Sequence, residues 1–122
     1  MIGPYDGMTR QVLAAPASRN STYTGGTIDV SAAIGPIAVH VIAGPGTGGG
    51  ACAFKLQHAS LGGSWADVSG GAICTHQATA RIRSTRFDSQ ALKQFIRIIG
   101  TVSGKHTATY AAFIEYTTQH RA

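Results

Sequence analysis

Charge is what this 122-residue chain has least of: charged residues make up 12% of it, about half the usual share. Acids are scarcest, five Asp and Glu against ten Lys and Arg, for a net charge of +5. So low a charge, beside 43% apolar residues, excludes a chain that is disordered throughout, because disorder goes with high charge and little to bury. No apolar run approaches the ~20 residues of a membrane helix. The opening stretch Met1–Asn20 lacks the apolar segment of a signal peptide, so assembly in the cytoplasm is expected. The only cysteines, Cys52 and Cys74, fit neither a CxxC motif nor a zinc site. They are expected as two free thiols packed in or near the core.

The scarcity extends to chemistry. Asp29, Asp67, Asp88 and Glu115 each stand alone, which gives no sign of the facing carboxylates of a glycosidase. His40, His58, His76, His106 and His120 show no metal-ligand spacing. His40 and His58 could meet across neighbouring strands, but two ligands leave a metal site incomplete. The glycine run Gly44–Gly50 lacks the Lys-Ser/Thr pair of a phosphate loop and is followed by a strand pattern, which makes it a flexible hairpin loop. No serine sits in a nucleophile elbow. The expectation is no enzyme, no cofactor and no metal. Basic residues are scattered except for Arg81, Arg83 and Arg86, and no aromatic alternates with these, so nucleic acid is not expected as a partner. Neither is a membrane.

What is present is β-forming sequence cut by glycine turns. Residues 1–25 form a separate unit, because Pro4, Gly7, Pro16, Gly25 and Gly26 interrupt any helix and apolar residues are few. This part is expected as an extended N-terminal arm, with strand pairing beginning after it. Residues 26–122 form the folded domain. Ile37, Val39 and Val41 share one strand face, Phe54 and Leu56 another, and Ile96, Ile98 and Val102 a third. A turn at Leu61–Ser64 leads into a return strand at Trp65–Val68, and Gly70-Gly71 reads as a further turn. Ala78–Phe87 is expected to turn Ile82 inward and Arg81 and Arg83 outward. Thr107–Thr117 closes the chain with Tyr110 and Ile114 facing in, and only Ser89–Gln94 could form a helical turn. Phe95 completes the expected core. The fold class is all-β: a β-sandwich or jelly-roll of about seven to eight antiparallel strands with an extended N-terminal arm. Trp65 is expected to pack its hairpin, although an open Trp face beside polar groups would suit sugar stacking.

Two stretches resemble a known family. Phe54-Lys55-Leu56-Gln57-His58 followed by Gly62-Gly63-Ser64-Trp65-Ala66-Asp67-Val68 is similar to a "strand, turn, W-x-D-V" hairpin of small structural proteins in tailed-phage morphogenesis modules. Leu92-Lys93-Gln94-Phe95-Ile96-Arg97 looks like their "L-K-x-aromatic-I-R" element. The resemblance implies a bacteriophage capsid decoration (cement) protein. Such a protein would be a homotrimer on the outer surface of the phage head, bound to the major capsid protein and stabilising its lattice. The alternative is a tail, fibre or spike module that recognises a receptor or a sugar. The arm lies outside the shared pattern. Its Tyr5, Arg10, Val12, Leu13 and Arg19 are the candidate shell contacts, as the apolar and cationic side chains that an extended segment offers a neighbour.

Overall fold

The computed structural model describes residues 8–118. Nine strands follow in order: β1 (Met8–Arg19), β2 (Tyr23–Thr24), β3 (Ile28–Asp29), β4 (Ala33–Ala43), β5 (Ala51–Ala59), β6 (Ala66–His76), β7 (Arg81–Asp88), β8 (Phe95–Ser103) and β9 (Ala108–Thr118). One 3₁₀ turn, Ser89–Ala91, sits before β8, where Asp88 caps it by accepting from the Gln90 amide.

The pairing is nested. β1 pairs with β9, β2 and β3 both pair with β8, β4 with β7, and β5 with β6, all antiparallel. Thus the first half of the chain forms a ribbon with the second half, and β2 with β3 acts as one interrupted strand. The ribbon then wraps, so that β4 also pairs with β9 and β5 with β8. Two four-position sheets result, β1-β9-β4-β7 and β2-β8-β5-β6, with β3 continuing beside β8. This is a jelly-roll, the closed-core member of the expected class.

Alternation puts one face of each sheet in the core. Ile37, Val39, Val41, Tyr110, Ala112 and Ile114 from the first sheet meet Cys52, Phe54, Leu56, Ile96 and Ile98 from the second. The Tyr110 ring meets Phe54 edge-on at 4.8 Å and ties the layers together. Phe95 and Val102 are half-buried at the margin.

Four sequence expectations need correction. Ile82 is 73% exposed, because β7 is an edge strand whose apolar residue faces outward, opposite Ile42. Arg81 and Arg83 take the inward phase, opposite Ala43 and Val41, where the strand overhangs the core. The supposed arm is not separate from the fold: Met8–Arg19 is a sheet strand, and its Leu13 and Ala14 are 2% and 1% exposed. Pro16 fits within it because β1 is an outer strand with register shifts at Val12/Ala14 and Ala14/Ala17. Gly70-Gly71 does not turn the chain but makes a bulge inside β6. There Gly70 has φ +70, and a Cβ on Gly71 would press on the Val68 and Leu56 carbonyls.

The fourth correction concerns Gly44–Gly50, which joins different sheets and is tied down rather than free. The Gly44 amide donates to Thr109 O, Gly46 to Ala78 O and Gly50 to Lys105 O, and Thr47 bridges Thr107.

Candidate functional site

The outer face of the four-stranded sheet carries the densest arrangement of solvent-facing chemistry. Strict registers across β7, β4, β9 and β1 set its side chains in rows: Ile82–Ile42–Ala111, then Ser84–His40–Phe113–Val12, then Arg86–Ala38–Glu115–Arg10. The first two rows are largely apolar. Val12, Ile42 and Ile82 are 60%, 41% and 73% exposed, although each belongs to a class that folding normally covers.

The third row and His40 form a continuous polar relay. Arg10 donates to Glu115 Oε2 from NH2 at 2.6 Å and from Nε at 3.1 Å. Glu115 Oε1 lies 2.9 Å from His40 Nε2, and His40 Nδ1 lies 2.6 Å from Ser84 Oγ. Arg10 holds the Glu115 carboxyl below the usual carboxylate range, His40 adding to the effect. An ionised Glu115 accepts from His40 Nε2, and in a neutral imidazole Nδ1 then accepts from the Ser84 hydroxyl. The His40 ring stacks on Phe113 at 4.8 Å, and the Arg10 guanidinium lies 5.3 Å from the centre of that ring. His40, Ser84 and Glu115 border a shallow depression of about 460 Å³ shared with Pro36, Arg86 and Thr117.

The relay has the order nucleophile, base, orienter, but Ser84 stands exposed on an open strand, away from any helix start or turn of converging amides. Its chemical use is to hold Arg10, Glu115 and His40 in fixed directions on a flat surface. That is what a recognition face needs.

The sequence-derived candidates divide between this face and other places. Arg10 and Val12 lie on it. Leu13 faces the opposite way and is part of the core. Arg19 is committed to the fold: it donates to the carbonyls of Tyr110 and Ala15, and lies 4.0 Å over the Tyr23 ring and 4.7 Å over Tyr110. Tyr5 lies outside the described residues. His40 and His58 are not neighbours, since β4 and β5 belong to different sheets. Cys52 is a buried free thiol, pushed up to about 11 by burial, and Cys74 is a half-buried one. Trp65 is half-buried beside its hairpin with the Arg97 guanidinium 4.3 Å over the ring. Around it, Arg97 donates to Gln57, and Gln57 and Lys55 both donate to Asp67.

One pair escaped sequence reading. His76 and His106 are 1% and 2% exposed and share a hydrogen bond of 2.9 Å from Nδ1 to Nε2. Their other ring nitrogens, and the Tyr110 hydroxyl, have no hydrogen-bond partner among the described residues. Burial, then the neighbouring His106, lowers the His76 pKa, and the carbonyls of Gly44 and Thr79 offset part of this without bonding geometry. Thirty residues separate the pair, and no local motif marks either member. No group of three or more metal-ligating side chains occurs among the described residues.

No family model matches the chain, and no curated protein matches it in sequence. Solved structures do match in shape. A structure of infectious bursal disease virus, Gx strain, superposes with a TM-score of 0.58 at 11% identity, covering 93% of this chain and 34% of that one. The crystal structure of the infectious bursal disease virus VP2 subviral particle gives 0.54 at 12% identity, covering 90% and 32%. A Bacillus endospore appendage subunit, of disulfide-linked pili, gives 0.42 at 18% identity, covering 98% and 97%. This chain therefore spans about a third of the length of the two viral chains. At such identities the likeness to the viral chains is one of fold alone, a jelly-roll.

Proposed function

We propose that the protein is a structural component of a virus particle, and within that class a tailed-phage decoration protein. In this reading it binds the major capsid protein on the outer surface of the head as a homotrimer and stabilises the lattice. It works without a cofactor and does not act as an enzyme or bind nucleic acid or membrane.

The observation that carries the reading is the outer face of the four-stranded sheet. A rigid jelly-roll places Val12, Ile42 and Ile82 in solvent beside the locked Arg10–Glu115–His40 relay. An apolar strip edged by fixed charges is the composition of a protein interface rather than of an idle surface. The jelly-roll fold shared with the viral chains and the resemblance of the Trp65 hairpin to phage structural proteins both support the same class. The receptor- or sugar-binding alternative ranks lower, because a guanidinium already lies on a ring face of Trp65.

The test is co-sedimentation of the purified protein with shells of the phage that encodes it, beside the Val12→Glu and Ile42→Glu variants. Saturable binding that both substitutions abolish, with their folds intact by circular dichroism, is the expected result. Binding unaffected by either would remove this face from the mechanism, and no binding at all would overturn the decoration reading.

A further inference from the structure

A jelly-roll has four exposed sheet edges, and an exposed edge invites unwanted pairing unless it is blunted. Three are blunted here. β1 contains Pro16 and two register shifts. β6 is bulged opposite Phe54/Lys55 and Lys55/Gln57. β2 and β3 are two residues long each. The fourth edge, β7, is different: all eight residues from Arg81 to Asp88 keep an uninterrupted register with β4. Its other side pairs with nothing among the described residues.

On that edge Ser84 is held by His40, but the arginines have no partner of opposite charge among the described residues. Arg81, Ile82, Arg83, Ser84 and Arg86 are all exposed. Every described carboxylate is spoken for elsewhere: Glu115 by Arg10 and His40, Asp67 by Lys55 and Gln57, Asp29 by the Ser31 amide and Gln94, Asp88 by the Gln90 amide. None forms an ion pair with Arg81, Arg83 or Arg86. The titratable groups that feel Arg81 and Arg83 are the Cys74 thiol and, for Arg81, His76, and neither supplies a negative charge at neutral pH. Three arginines on one edge repel a second copy of the same edge, and so oppose self-pairing. They attract a strand of opposite sign.

We propose that β7 is a docking edge for an extended acidic segment of a partner protein, which adds as a fifth strand to the β1-β9-β4-β7 sheet. Main-chain hydrogen bonds to the open edge supply affinity, and the side-chain alternation supplies specificity. Arg81 and Arg83 lie on one face of β7 and Ile82 on the other. The fitting segment therefore alternates carboxylates with apolar residues, acids beside the two arginines and an aliphatic side chain beside Ile82 and Ile42. This goes beyond the virion reading and does not depend on it, since the edge is open whatever assembly carries the fold.

The experiment uses the full chain and three labelled ten-residue peptides, followed by fluorescence anisotropy and amide hydrogen exchange. One peptide alternates Glu with Val and one alternates Lys with Val. The third is the Glu-Val peptide with its β7-facing amides N-methylated. The Glu-Val peptide should bind and slow exchange at alternate amides of Arg81–Asp88, and the other two should not. The double variant Arg81→Glu/Arg83→Glu should weaken that binding about tenfold or more and gain affinity for the Lys-Val peptide. Arg81→Gln/Arg83→Gln gives an intermediate check if charge reversal disturbs the fold. Equal binding by the N-methylated peptide, or binding without protection of β7, would overturn strand addition. So would tighter binding of a single-stranded oligonucleotide than of the Glu-Val peptide. Protection of β7 amides by the chain's own oligomer, with no peptide present, would show that a second copy fills the edge and would overturn the acidic partner.

Discussion

At the scale of residues, burial decides which side chains the sequence betrays. Ile37, Val39, Val41, Phe54, Leu56, Ile96, Ile98, Tyr110 and Ile114 were legible because their strands are covered by neighbours, so apolar and polar positions must alternate. Ile82 was misread because the Arg81–Ser84 part of β7 is solvated on both faces, and alternation there carries no information about the core. The contrast is measurable. Ile98→Ala should cost ~2–5 kcal/mol through cavity formation, whereas Ile82→Ala should stay within about 0.5 kcal/mol in chemical denaturation. The histidine pair gives a second residue-scale expectation. The His76 pKa lies below its ordinary value, chiefly through burial, so the folded chain binds fewer protons than the unfolded one. Stability is complete above about pH 6.5, the unfolded value, and falls as pH drops from there toward the lowered folded value. Asp29, Asp67 and Glu115, all shifted downward, add their own losses only at lower pH. A series of melting curves from pH 7.5 to 5 should therefore show a decline that is smaller in His76→Gln. An equal decline in that variant would assign it to other groups, such as His58, which burial also shifts downward.

At the scale of elements, inner strands were readable and outer ones were not. The inward residues read for β5 and β8, Phe54, Leu56, Ile96 and Ile98, are buried as expected, and β9 starts and ends one residue later than its expected Thr107–Thr117. β1 escaped because an edge strand tolerates proline and bulges, and its only inward signal is Leu13-Ala14. The Gly44–Gly50 loop was misjudged for another reason. Its glycines serve close approach, since a Cβ on Gly46 would strike the Gln77 carbonyl and press on both buried histidine rings. Removal of residues 1–19 tests the reassignment of β1. It deletes the partner that β9 has along Met8–Arg19, buried Leu13 included, and exposes Ala112 and Ile114. The truncated chain should lose cooperative unfolding by circular dichroism. A sharp transition near that of the full chain would restore the view of an independent arm.

At the scale of the whole molecule, fold class was visible in composition and turn spacing, whereas topology was not. The nested pairing rests on contacts such as Arg10 with Glu115, 105 residues apart, which no local pattern encodes. The outer face of the four-stranded sheet shares this origin: Val12, His40, Ile42, Ile82 and Phe113 come from four separate strands and become neighbours only through sheet register. That is why Arg10 and Val12 could be named from sequence as available side chains while the surface they belong to could not. The central claim is that this face seats a homotrimeric jelly-roll on a phage head, and a cryo-electron microscopy reconstruction of the purified particles tests it most directly. The account predicts trimeric jelly-roll density on the outer head surface, with the β1-β9-β4-β7 sheet turned toward the capsid protein. Density confined to the tail or fibres, or jelly-rolls on the head with this sheet facing solvent, would contradict it.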